Sequence, residues 1–173
     1  MRITMVCSDA MPHFTGGGIG MTSCGIFDSL RARDHKVQVA APVGPDFIRR
    51  ALQDRGAETV LFGPHPDLLA KIAQSIDNFE PDVIFAFPHT GLKLSAQADA
   101  AIPRVCTLGD LPHMVLPLRW QYVNRSRPMD YGTMVQLHNG AIRVKDDFLA
   151  LLKGCAAVGN FCSHHTQWLK SQG

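Results

Sequence analysis

Short apolar runs alternate along the chain with longer stretches whose apolar residues recur every three to four positions. The first run, Ile3 to Cys7, predicts a strand. In the segment IGMTSCGIFDSLRARDH, Ile19, Ile26, Phe27 and Leu30 fall near helical spacing and charged residues follow, predicting a helix of about 12 to 15 residues. KVQVAAP reads as a second strand. PDFIRRALQDRG then reads as a helix opened by Pro45 and Asp46 and closed by Gly56, and ETVLFG as a third strand. HPDLLAKIAQSIDNFEP places Leu68, Leu69, Ile72 and Ile76 on one helical face, with Pro81 as its stop. DVIFAF is the fourth predicted strand, TGLKLSAQADAA a short helix and IPRVCTL the fifth strand.

From Gly109 to Gly140 the periodicity is lost, and Pro112, Pro117 and Pro128 stand among scattered arginines and aromatics, which predicts an irregular, functional stretch with one or two helical turns. IRVKDDFLALLKG returns to helical spacing, CAAVGN supplies a sixth strand and FCSHHTQWLKSQG a final helix. Strands alternating with helices predict an α/β domain with a Rossmann-like doubly wound parallel sheet, whose ligands bind outside the carboxyl ends of the strands. A chain of 173 residues supports one such domain, residues 1–173.

Composition narrows the classes. With 46% hydrophobic and 18% charged residues, the chain has the makeup of a folded globular protein. A net charge of +2 is too mild for a dedicated nucleic-acid binder, so no nucleic-acid partner is expected. Five cysteines form an odd count without disulfide-framework spacing, and Cys7, Cys106 and Cys155 sit within or beside apolar runs, which favours a reducing cytoplasm. No apolar run reaches the roughly 18 to 20 residues of a membrane span, and Asp9 interrupts the apolar opening that a signal peptide would need.

The stretch PHFTGGGIGM places four glycines within five positions. A dinucleotide fingerprint would need GxGxxG directly after the first strand and an acid at the end of the second. Counting from Gly16 or Gly18, the third glycine position falls on Met21 or Ser23, and the second strand ends Ala40, Ala41, Pro42. No GK[ST] follows, so a P-loop is absent too. Two readings stay open: a loop leading to a helix start whose free N–H groups favour a phosphate or sugar, or glycines that only allow a tight turn.

His89 follows the fourth strand and Asp110 with His113 the fifth, all at the edge where a doubly wound sheet carries its chemistry. A carboxylate beside a histidine can act as base or electrostatic partner; alternatively, Asp110 caps a helical turn. Arg119, Arg125 and Arg127, with Trp120 and Tyr122, form a basic stretch suited either to a phosphorylated or lipid-linked substrate or to plain solvation. Peripheral contact with the inner face of a membrane through this stretch is a further expectation. Cys162, His164 and His165 lack the paired spacing of a zinc site, so no metal is expected.

The order of these features resembles the N-terminal domain of retaining GT-B fold glycosyltransferases of the group 1, family 4-like kind. The resemblance spans nearly the whole chain and rests on the opening 1–42 segment, FEPDVIFAF, IPRVCTLGD and AAVGNFCSHHTQWLKSQG. It implies an acceptor-binding domain whose complete enzyme transfers a sugar from a nucleotide-sugar donor to a glycan or lipid-linked hydroxyl acceptor, without a separate cofactor. It assigns Gly16, Gly17 and Gly18 to acceptor or donor phosphate and lines the acceptor side with Pro88, His89, Gly109 and Asp110. His89 and Asp110 become the candidate catalytic pair, and His113 and Arg119 candidate substrate contacts. Many members carry a histidine where this chain has Gly109. The nucleotide-sugar site would lie mainly on a C-terminal domain absent from residues 1–173, so the isolated chain is expected to be inactive. Outside the resemblance stand a non-catalytic binding module and a nucleotide-dependent oxidoreductase; the missing acid on the second strand counts against the latter.

Overall fold

A computed structural model describes residues 1–7, 17–42, 46–62, 66–87, 90–108, 130–160 and 163–172. Six strands alternate with helices: β1 Arg2–Val6, α1 Gly17–Arg31, β2 Lys36–Pro42, α2 Asp46–Asp54, β3 Glu58–Phe62, α3 Pro66–Phe79 and β4 Val83–Ala86. Helix α4 is Thr90–Ser95, followed by β5 Arg104–Leu108, α5 Tyr131–Lys153, β6 Ala157–Asn160 and α6 Ser163–Ser171. All strand pairs are parallel and run in the order β3-β2-β1-β4-β5-β6, a Rossmann-like doubly wound sheet.

The alternation of side chains along the strands explains the two layers. Met5, Val37, Val39 and Ala41 point to one face and pack with Phe27 of α1 and with Ile48 and Leu52 of α2. Val6, Ala40 and Ile84 point to the other, against Ile72 and Ile76 of α3 and Leu94 of α4. On that second face Ala86 and Cys106 continue the core with Leu92, Phe148 and Leu152. A strand buried on both sides reads as a continuous apolar run, which is why β1 and β4 were visible as RITMVC and DVIFAF.

One polar network crosses the buried interior. The Thr4 hydroxyl donates to Gln38 Oε1 at 3.0 Å, and Gln38 Nε2 donates to Glu58 Oε1 at 2.9 Å and to the Ser75 carbonyl at 3.2 Å. Side chains from β1, β2 and β3 are thereby tied to α3, and Gln38 is satisfied although fully buried. At the turn after α2, Gly56 adopts φ 80°, the left-handed conformation that glycine enters without a Cβ penalty.

The clearest difference from the sequence reading concerns α5. The irregular stretch expected up to Gly140 ends ten residues earlier, because α5 already begins at Tyr131. Its start is fixed by Asp130, whose carboxylate accepts the Thr133 N–H at 2.8 Å and the Thr133 hydroxyl at 2.7 Å. The Thr133 hydroxyl and amide hold the Asp130 carboxyl below its usual range. Gly132, Gly140 and the exposed first turns hide this helix from a periodicity test, since only Phe148 and Leu152 of α5 are buried.

Phe148 is fully buried and is therefore the main anchor of α5. Phe148→Ala is expected to lower unfolding stability by about 3–5 kcal/mol, whereas Met134→Ala, on an exposed turn of the same helix, should change it by less than about 0.5 kcal/mol. Urea denaturation of both variants checks the contrast.

Candidate functional site at the carboxyl edge of the sheet

Strand order reverses between β1 and β4: from β1 the chain proceeds outward to β2 and β3, then returns to β4 on the opposite side. The carboxyl side of such a reversal is where doubly wound sheets bind ligands. Strand β1 ends at Val6 and α1 begins at Gly17, and β4 ends at Ala86 and α4 begins at Thr90.

This carboxyl edge is held tightly. The Val6 carbonyl accepts the Phe87 N–H at 2.9 Å, and the Cys7 N–H donates to the Ala40 carbonyl at 2.8 Å. Gly91, in the first turn of α4, lies so close that a Cβ built on it would stand 2.4 Å from the Val6 oxygen. Only glycine lets α4 sit against the end of β1 at this distance. Sequence reading treated Gly91 as an ordinary residue of a short helix; a glycine one position inside a helix start after a strand was the available signal.

On the β1 side, α1 starts at Gly17 with no acidic residue in its first turn. No carboxylate within the helix's own first turn opposes its dipole at this end. Gly17 and Gly18, expected in the loop before the helix, form the start of α1. Helix α2 differs, because its own Asp46 occupies the first turn and pairs with Arg49 at 3.0 Å. Strand β2 ends at Ala41 and Pro42, so the described end of that strand offers no carboxylate to a ribose.

Burial disfavours the thiolate at both buried cysteines. Burial pushes Cys7 from its ordinary 9.0 up to about 12, and burial together with neighbouring Cys155 does the same to Cys106. Burial also raises Cys155, against the opposing charge of Arg104. Cys7, Cys24, Cys106 and Cys155 are all free thiols.

Of the sequence-predicted site residues, Gly17 and Gly18 are placed at the start of α1. Gly16, His89, Asp110, His113 and Arg119 lie outside the described residues, as do Pro88 and Gly109. Among the described residues no group of three His, Cys, Asp or Glu side chains could hold a metal ion, and no helix is long and apolar enough to cross a membrane. A cleft of about 230 Å³ lies at the opposite, amino edge, lined by Asp77, Glu80, Pro81, Asp99 and Ile102. Its Asp77 and Asp99 carboxylates already accept the N–H groups of Asp99 and Ala101, at 3.1 and 2.9 Å.

No protein-family model matches the chain, and no curated protein sequence matches it.

Gly91→Ala should cost about 1–3 kcal/mol by forcing α4 away from the Val6 carbonyl, read as a lowered midpoint in thermal unfolding. In the native protein at pH 8, iodoacetamide should leave Cys7 and Cys106 unmodified, and mass mapping should find both labelled once urea unfolds the chain. The raised thiols also set a pH dependence. Their stabilising effect is complete below the unfolded value of 9.0 and is lost as pH climbs toward about 12, because the unfolded thiols ionise first. Unfolding midpoints recorded from pH 8 to 11 should therefore fall, and fall less in a Cys7→Ala variant.

Proposed function

We infer that this chain is the acceptor-side, Rossmann-like half of a GT-B glycosyltransferase, whose complete form moves a sugar from a nucleotide-sugar donor to a hydroxyl acceptor. The observation that carries the reading is the strand reversal at β1/β4. It brings the carboxyl end of β1, the glycine start of α1, the end of β4 and the start of α4 to one edge. Two of the stretches on which the sequence resemblance rests, the opening 1–42 segment and FEPDVIFAF, contain β1, α1 and β4. In this reading α1 offers unpaired N–H groups to a phosphate or sugar oxygen, while His89 and Asp110 contact the acceptor hydroxyl. Sugar transfer of this kind relies on holding donor and acceptor together and stabilising the departing diphosphate, tasks met by helix starts and fixed cations. A further observation fits an acceptor role better than a dinucleotide role: β2 ends without an acid.

The test is sugar transfer by this chain joined to the second domain that the reading requires, assayed with a panel of nucleotide sugars and hydroxyl acceptors. Product should form, the isolated chain should form none, and Gly17→Val should lower kcat/KM by about tenfold or more, equivalent to roughly 1.4 kcal/mol. Unchanged transfer in Gly17→Val removes the α1 start from the mechanism, and NADH binding without any transfer overturns the reading.

A further inference from the structure

We draw no further inference here: the strongest candidate, the amino-edge cleft lined by Asp77, Glu80, Pro81, Asp99 and Ile102, is an acidic cluster in which Asp77 and Asp99 already accept backbone N–H groups, and nothing in the structure points to a ligand there.

Discussion

The contact between Gly91 and the Val6 carbonyl governs how the functional edge is built. Strand β1 is the pivot of the sheet, paired with β2 on one side and β4 on the other. Its last carbonyl accepts the Phe87 N–H and has the first turn of α4 pressed against it. A side chain at position 91 would require either α4 or the end of β1 to move, and both lie at the carboxyl edge. Close packing on the two sides of β1 is thus coupled to the geometry of that edge.

The same centre separates two kinds of polar group. Thr4 and Gln38, buried beneath the sheet, are mutually bonded and extend to Glu58 and Ser75, so they stabilise the layers and offer nothing to a ligand. The thiols at Cys7 and Cys106 are held neutral by burial. What the described residues bring to the β1/β4 carboxyl edge is therefore mainly backbone, at the start of α1 and the first turn of α4.

Much of the fold was legible in the sequence, for identifiable reasons. The six strands are short apolar runs bounded by Gly, Pro or charged residues, and crossover helices such as α2 and α3 carry their apolar residues at regular spacing. Helix α5 escaped because its first half has no core to face, so its residues obey no burial period. The helical placement of Gly17 and Gly18 escaped because glycine is a poor helix former whose presence argues for a loop. Gly91 escaped because its role is a distance between elements far apart in sequence. The edge that bears the candidate site followed from the alternation of elements alone, whereas the chemistry assigned to His89 and Asp110 derives from the family resemblance.

Binding at the β1/β4 carboxyl edge is the central claim, and a backbone amide NMR titration of the chain with nucleotide sugars and simple glycosides tests it most directly. The account predicts that the largest shift changes fall on Cys7, Gly17 to Gly20, Phe87, Thr90 and Gly91. Changes centred instead on Glu80, Asp82 and Ile102, at the amino edge, would contradict it.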